Sequence, residues 1–142
     1  MLRGLTTVNF FTPDLAAARD WYTELLGIEP YFVREVDGAP AYIEFRLGDL
    51  QHELGFIDAR FAPTDRSEAP GNTFTYWAVD DLDATLVRLA ELGATPLQPP
   101  VEHAPGYVTA SVVDPFGNVL GVMFNQHYLD TVANLPPKGE GR

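Results

Sequence analysis

Cysteine is absent from this chain of 142 residues, and histidine occurs only three times. The first absence excludes disulfides, thiolate catalysis and zinc sites built from cysteine. Basic residues are also scarce, with 9 Lys and Arg against 20 Asp and Glu, so that the formal net charge is -11. Binding to a phosphate backbone needs clustered Lys and Arg, and we therefore predict no nucleic-acid partner. We interpret the acidity as a contribution to solubility.

Long apolar runs are missing as well. No stretch is long enough to cross a bilayer, and the N-terminal residues lead directly into strand-like sequence without the apolar centre of a signal peptide. These observations predict no membrane partner and favour a cytoplasmic protein. The length suits one domain with a core of its own, and the hydrophobic content of 46% is ordinary.

The most informative stretch is SVVDPFGNVLGVMF, residues 111–124. Its DPFG segment, residues 114–117, is typical of a tight turn between two strands. After the turn Val119, Gly121 and Met123 share one face and alternate with a second apolar set, so one face should pack on a core while the other lines a cavity. A glycine in the middle of a strand often marks the close approach of another group.

One supersecondary pattern occurs twice along the chain. Residues 4–57 predict the order strand, helix, strand, strand, strand, and residues 72–126 predict the same order again. Each half has its helix between an aspartate and a glycine, Asp14 and Gly27 in the first half. The predicted strands span residues 5–12, 28–36, 41–47, 50–57, 72–79, 95–101, 107–113 and 118–125. The predicted fold class is therefore α+β, with two βαβββ modules.

The remaining segments separate and follow the two modules. Residues 58–71 carry Pro63, Pro70 and several charges, which is typical of a linker. We assign residues 1–130 to one domain and residues 131–142 to a tail. The tail should be disordered, because its PPKGEGR end has little apolar area to bury.

Three stretches together resemble the vicinal oxygen chelate superfamily, which contains glyoxalase I, bleomycin-resistance proteins, fosfomycin-resistance enzymes and extradiol dioxygenases. They are PDLAAARDWYTELLGI (13–28), VDDLDATLVRLAELGA (79–94) and DPFGNVLGV (114–122). The resemblance extends over about residues 4–126. It implies that the modules form curved mixed sheets that enclose a cup-shaped site.

Metal enzymes of that superfamily take ligands from four strands. By resemblance these positions are Thr7, Glu53, Phe74 and Gly121. Only Glu53 is a strong ligand among them, and one carboxylate is too few for a divalent ion. The resemblance thus implies that the usual metal site is lost, and we predict no metal and no other cofactor. A relocated site that combines Glu53 with Glu44 or His103 is the alternative.

Strand parity predicts what lines the cup instead. Apolar and aromatic side chains with a few polar groups share the concave face, which is typical of a small-molecule pocket. The predicted ligand-binding residues are Thr7, Asn9, Phe11, Glu53, Phe74, Tyr76, Thr109, Ser111, Gly121 and Met123, with Val119 and Tyr42 nearby. Alternatively, these side chains fill the cavity or are covered by another subunit. Since Gly121 has no side chain, we expect an open space beside Phe74 and Tyr76 for a flat aromatic guest. We also expect Gly121→Leu to fill that space and leave the fold intact.

Glu53 itself allows two interpretations. If it is buried and unpaired, its pKa should be raised and it could act as a general base. If it pairs with Arg46 or with a backbone donor, its role is structural.

Three functions remain open at this point. The first is a metal-free binding protein that sequesters a small aromatic or antibiotic-like compound, as bleomycin-resistance members of the superfamily do. The second is a lyase, isomerase or dioxygenase of the superfamily that uses Glu53 or an unconventional metal site. The third is a structural or regulatory module that acts through dimer contacts. We predict a homodimer, since members of the superfamily commonly pair sheets between subunits and Trp21, Tyr31 and Phe32 offer apolar surface to cover.

Overall fold

A computed structural model describes residue 1 and residues 5–62 and 74–137. The strands are β1 (Thr7–Thr12), β2 (Phe32–Val36), β3 (Ala39–Leu47), β4 (His52–Asp58), β5 (Tyr76–Ala78), β6 (Thr95–Ala104), β7 (Tyr107–Val113) and β8 (Val119–Asn125). The helices are α1 (Leu15–Leu26), α2 (Leu82–Glu91) and α3 (Gln126–Ala133), with a 3-10 turn at Ala59–Phe61. Within the described ranges, no helix is long and apolar enough to cross a membrane.

The strands form two four-stranded mixed sheets that share one topology. The strand order is β1-β4-β3-β2 in module one and β5-β8-β7-β6 in module two. In each module the first strand runs parallel to the last, and the other pairs are antiparallel. Each sheet is open. The predicted α+β fold with two βαβββ modules is confirmed.

Both main helices begin at the predicted aspartates. The carboxylate of Asp14 accepts a hydrogen bond from the Ala17 N–H at 3.0 Å, and that of Asp81 accepts one from the Ala84 N–H at 2.9 Å. Such caps satisfy backbone donors that the first helical turn leaves free. Gly27 ends α1 with φ at 69°, in the left-handed region that favours glycine.

The helices pack on one face of each sheet and join the two modules into one core. Phe45 is fully buried in the cluster of module one, and Leu89 is nearly so in the cluster of module two. Trp21 and Trp77 are partly buried and pack against both clusters. Trp77 therefore faces the helices. Trp21 was expected to leave apolar surface exposed, but it belongs to the seam between the modules.

The modules also correspond where the first strand of each pairs with the last strand. Asn9 pairs with Gly55 between β1 and β4, and Tyr76 pairs with Gly121 between β5 and β8. Counted from the two helix caps, Asn9 of module one corresponds to Tyr76 of module two. The two glycines therefore hold the same place in their sheets.

Some element boundaries differ from the prediction. Helix α3 was not predicted, although Asn125 is a typical cap and accepts a hydrogen bond from the Tyr128 N–H at 3.0 Å. The boundary predicted at residue 130 falls within this helix, and residues 138–142 of the predicted tail lie outside the described part. Strand β6 extends to Ala104, so that His103 lies in a strand instead of the predicted loop.

The predicted linker is described only at its beginning. It opens with the 3-10 turn, which Asp58 caps by accepting a hydrogen bond from the Arg60 N–H at 3.0 Å. Residues 63–71 of the linker and residues 72–73 of the predicted fifth strand lie outside the described residues. Strand β5 itself is shorter than predicted and spans three residues.

Candidate functional site

Glu53 is the centre of a polar network on the face of the first sheet that α1 does not cover. Its neighbour Leu54 is buried in the core, so the Glu53 side chain points to the opposite face. The Thr7 hydroxyl donates to Glu53 Oε1 at 2.9 Å, and the Tyr31 hydroxyl donates to Oε2 at 3.1 Å. The Arg46 guanidinium donates to the same Oε2 at 3.3 Å. Three side chains thus converge on one carboxylate, from β1, from β3 and from the segment between α1 and β2.

This network holds Glu53 in its ionised form. The hydrogen bond from Thr7 is the largest cause of a lowered pKa of Glu53, and Arg46 lowers it further, whereas partial burial opposes both. The interpretation of Glu53 as an unpaired base with a raised pKa is therefore wrong. The predicted pairing with Arg46 is present.

Glu44 forms a carboxyl pair with Glu53. The two side chains lie on neighbouring strands and are hydrogen-bonded to each other, and the Tyr42 hydroxyl donates to Glu44. Burial is the largest cause of a raised pKa of Glu44, the charge of Glu53 raises it further, and Arg46 opposes them. The two shifts run in opposite directions, so Glu44 is the member of the pair that takes up a proton more readily.

An aromatic groove lies next to this network. A volume of about 390 Å³ is lined by Phe32, Arg34, Val36, Ala41, Tyr42, Ile57 and Phe61. The ring centres of Phe32 and Tyr42 are 6.2 Å apart, and those of Phe32 and Tyr31 are 6.4 Å apart. Phe32 and Phe61 are each 44% exposed, so these rings can meet a guest. Sequence reasoning placed Tyr42 near the site but missed Phe32 and Phe61. The alternation of side chains along β2 could have identified Phe32.

In module two the expected open space beside Gly121 is occupied. A Cβ at Gly121 would lie 2.7 Å from Cδ1 of the Tyr76 ring and closer still to the Thr75 carbonyl oxygen. Gly121 therefore permits the close approach of β5, as a glycine in mid-strand predicted. The expectation that Gly121→Leu leaves the fold intact is wrong, because its side chain would collide with backbone.

The hydroxyls of module two are already hydrogen-bonded within their sheet. Thr109 and Ser111 are buried. His103 Nε2 lies 2.8 Å from the Thr109 Oγ1, and the Ser111 hydroxyl donates to Gln98 Oε1 at 3.4 Å. Met123 is the cross-strand neighbour of Thr109.

The predicted residues thus fall into separate groups. Phe74 is 49% exposed and is the first residue of the second described range. The backbone carbonyl of Phe11 accepts a hydrogen bond from Asn118 Nδ2 at 2.9 Å. Apart from this bond between Asn118 and Phe11, the side-chain bonds described in this subsection each stay within one module. Module one brings together Thr7, Asn9 and Glu53, and module two brings together Tyr76, Thr109, Ser111, Gly121 and Met123.

The positions that the resemblance assigns to metal ligands do not fit a divalent ion. The Thr7 hydroxyl donates its proton to Glu53, while Phe74 and Gly121 have no donor atom in their side chains. In residues 5–62 and 74–137, no group of three or more His, Cys, Asp or Glu side chains could hold a metal ion. The alternative ligand His103 is hydrogen-bonded within the second sheet.

Solved structures share this architecture. A glyoxalase-related enzyme from Fulvimarina pelagi is 21% identical, with a TM-score of 0.66 and coverage of 87% of this chain and 89% of that chain. A glyoxalase/bleomycin resistance protein from Catenulispora acidiphila is 25% identical, with a TM-score of 0.56 and coverage of 84% and 97%. A lactoylglutathione lyase from Agrobacterium tumefaciens is 21% identical, with a TM-score of 0.62 and coverage of 87% and 94%. No curated protein matches the chain.

The amino-acid sequence also matches a family model over most of its length. The family model of the glyoxalase/bleomycin resistance protein/dioxygenase superfamily matches residues 4–122. That range contains both helices with aspartate caps and seven of the strands in full. The chain therefore belongs to the glyoxalase/bleomycin resistance protein/dioxygenase superfamily.

Proposed function

We propose that this protein binds a small molecule without the help of a metal ion, and that the guest joins an aromatic group to a positive charge. The observation that carries this proposal is the ionised Glu53 beside the exposed aromatic groove of module one. Sequestration of an antibiotic-like compound is one function that such a site serves. The similarity to the Catenulispora acidiphila protein supports this choice only at the level of the fold.

The charge preference follows from the carboxyl pair. Glu53 carries a full negative charge, and its partner Arg46 is half exposed, with 51% of its side chain accessible. A carboxylate has about four acceptor positions, and the side chains of Thr7, Tyr31 and Arg46 together with the paired Glu44 use them. A cationic group of the guest can displace the exposed Arg46.

The aromatic preference follows from the groove. Rings that are already partly exposed can stack on a flat guest, and each aromatic pair adds about 0.5–1.5 kcal/mol beyond its burial. A cation held over such a ring is also attracted to its face. Thr7, Asn9 and Glu53 were predicted to bind the guest, and the groove adds Phe32 and Tyr42 to them. The predicted homodimer and the predicted cytoplasmic location stay predictions.

A fluorescence titration with proflavine, a planar aromatic cation, tests the proposal. We expect Glu53→Gln to weaken proflavine binding at least about tenfold, since it removes the charge and keeps the shape of the side chain. Glu91→Gln, on the surface of α2, is the matched control, because any loss of negative charge weakens cation binding to a chain of net charge -11. Equal weakening in the two variants would show that the dye responds only to net charge and would overturn the proposal.

The carboxyl pair also supports a second candidate, an enzyme that transfers protons. Two carboxyl groups with pKa values shifted in opposite directions are a common acid–base arrangement, with Glu44 as the acid here. Mass spectrometry of a guest recovered after incubation separates the two functions. A guest that is converted by the wild type, but only bound by Glu44→Gln, would establish the enzyme. A guest recovered unchanged from both would favour the binding protein.

A further inference from the structure

The Arg46 side chain occupies the place beside Glu53 that a cationic guest would need. Arg46 of β3 and Glu53 of β4 are cross-strand neighbours, so their side chains leave the sheet on the same face. The Arg46 guanidinium donates to Glu53 Oε2 at 3.3 Å, and its central carbon lies 4.2 Å from the centre of the Tyr31 ring. One cation of the chain itself is thus held between a carboxylate and an aromatic ring.

These two contacts favour a planar, delocalised cation. The Tyr31 hydroxyl donates to Glu53 Oε2 at 3.1 Å, which keeps the ring next to the carboxylate. A guanidinium is weakly hydrated, stacks on aromatic rings and presents forked N–H donors to a carboxylate, whereas an ammonium is a compact and strongly hydrated charge. A site of this shape therefore suits an amidinium or a guanidinium better than an amine.

Arg46 can leave this place at little cost and has room to do so. Its side chain is 51% exposed, and an exposed ion pair contributes little to stability because water competes for both charges. A depression of about 230 Å³ beside the ion pair offers open space to the displaced side chain. The depression is lined by Leu5, Thr6, Arg46, Leu50, Gln51, His52 and Glu53.

The aromatic surface continues from Tyr31 toward the groove. The centre of the Phe32 ring is 6.4 Å from that of Tyr31, and the two residues are 44% and 47% exposed. A guest whose cation replaces the Arg46 guanidinium over Tyr31 can therefore lay a ring on Phe32. This short spacing favours a cation that is joined directly to its ring.

We propose that Arg46 is an internal competitor for the guest, and that the guest is an aryl amidine or aryl guanidine whose cation replaces the Arg46 guanidinium between Glu53 and Tyr31. This inference rests on the proposed function, because it names the class of molecule that binds at Glu53. Arg46 then determines specificity. An uncharged aromatic compound cannot compensate Glu53 for the loss of Arg46, so it binds weakly while Arg46 is present.

Benzamidine and benzylamine are the probes for this inference, because each joins one ring to one positive charge and only benzamidine carries a planar amidinium. Isothermal titration calorimetry measures both affinities. We expect the wild type to bind benzamidine about fivefold tighter than benzylamine. Arg46→Ala should tighten benzamidine binding about fivefold to tenfold, because the ion pair with Glu53 and the contact with Tyr31 no longer have to be broken.

Arg88→Ala, on α2, is the matched control. Arg88 is 49% exposed and pairs with Glu24 at 3.4 Å, and its loss changes the net charge as much as the loss of Arg46 does. This control should tighten benzamidine binding less than about twofold, since salt screens distant charges. Equal tightening in Arg46→Ala and Arg88→Ala, or weaker binding in Arg46→Ala, would overturn the role of Arg46.

The remaining comparisons do not depend on the folding of Arg46→Ala. Arg46→Lys keeps the net charge but loses the planar fork, so it should tighten benzamidine binding about twofold to threefold. Unchanged or weaker binding in Arg46→Lys would count against the competition. Wild-type protein that binds benzylamine as tightly as benzamidine would overturn the choice of an amidine.

Failure of this inference can be told apart from failure of the proposed function. Proflavine binding that Glu53→Gln and Glu91→Gln weaken equally would overturn both, because no cation then binds at Glu53. Proflavine binding that depends on Glu53, together with equal effects of Arg46→Ala and Arg88→Ala on benzamidine, would overturn only the competition by Arg46.

Discussion

The hydroxyl oxygen of Tyr22 lies 2.7 Å from Oδ2 of Asp114, and this contact joins helix α1 of module one to the β7–β8 turn of module two. Both residues are buried, at 0% and 4% exposure. Oδ1 of the same carboxyl accepts hydrogen bonds from the backbone N–H groups of Phe116 at 2.9 Å and Asn118 at 2.8 Å. A single buried carboxyl group therefore holds the turn together and fastens it to the other module.

We expect Tyr22→Phe to lower the free energy of unfolding by about 1.5–3 kcal/mol, because one oxygen of a buried carboxyl loses its side-chain donor. Urea unfolding of the whole chain measures this. Tyr128→Phe is the control, since its hydroxyl donates to Asp49 at 3.0 Å at the surface and should contribute less than about 1 kcal/mol. Equal losses in the two variants would contradict the role given to Asp114.

The effect of Tyr22→Phe should also depend on pH. Burial is the largest cause of a raised pKa of Asp114, and hydrogen bonds from Asn118, Tyr22 and Phe116 lower it. Loss of the Tyr22 hydroxyl raises that pKa further. When the pKa of a carboxyl group is higher in the folded than in the unfolded protein, the free energy of unfolding decreases as the pH rises. The decrease begins at about 3.9, the ordinary pKa of Asp, and ends above the raised pKa. The loss of unfolding free energy caused by Tyr22→Phe should therefore be small in acid and largest at neutral pH. A loss that stays constant across this pH range would contradict the prediction.

The repeated modules were predictable because their signals are local. The aspartate caps, the glycine after α1 and the alternation of apolar residues each depend on a few neighbours in sequence. The contact between Tyr22 and Asp114 joins residues that are 92 positions apart, and no local sequence pattern predicts it. The sequence identified Asp114 only as a turn residue.

The candidate site was predictable in its faces but not in its contacts. Parity placed Thr7, Asn9 and Glu53 on one face, and the structure confirms this arrangement. It could not show that Tyr31 reaches Glu53, since Tyr31 lies in the irregular segment between α1 and β2. Nor could it show that the Tyr76 ring folds over Gly121, because that depends on the side-chain rotamer and on the strand spacing.

The two corresponding glycines should respond differently to alanine. A Cβ at Gly121 would meet the Thr75 backbone carbonyl, whereas a Cβ at Gly55 would meet the side chains of Asn9 and Tyr42. Backbone in a paired strand cannot move as easily as the end of a side chain. We therefore expect Gly121→Ala to destabilise by about 2 kcal/mol or more, and Gly55→Ala by less. Thermal unfolding of both variants measures the order, and a larger loss in Gly55→Ala would contradict it.

Exposed aromatic surface predicts that the chain forms a homodimer. Tyr31, Phe32 and Phe74 are each more than two-fifths exposed, at 47%, 44% and 49%. Strands β1 and β5 are at the edges of their sheets, and each has one side that pairs with no other strand of the described residues. Light scattering should therefore give twice the chain mass of 15.7 kDa at micromolar concentrations. Phe32→Glu should shift the mass toward the monomer, and a monomer in the wild type would refute the prediction.

We expect Thr7 to set the acid limit of the proposed guest binding through Glu53. The hydrogen bond from the Thr7 hydroxyl is the largest cause of the lowered pKa of Glu53, so Thr7→Val should raise that pKa toward its ordinary value. A carboxylate attracts a cation only while it is ionised. Binding of proflavine to the wild type should therefore persist as the pH falls and disappear as it passes through the lowered pKa of Glu53. In Thr7→Val the same loss should begin at higher pH, while the affinity at neutral pH changes little.

Two measurements on one variant make this prediction specific. NMR titration of the Glu53 side-chain carboxyl carbon reports its protonation directly, and proflavine fluorescence reports the binding. Both midpoints should move upward together in Thr7→Val. Thr6→Val is the control. Thr6 is exposed, and because it directly precedes Thr7 in the chain, its side chain points away from the face that carries Thr7. A shifted NMR midpoint with an unshifted dye midpoint would separate Glu53 from the guest, and an unshifted NMR midpoint would remove Thr7 as the cause of the lowered pKa.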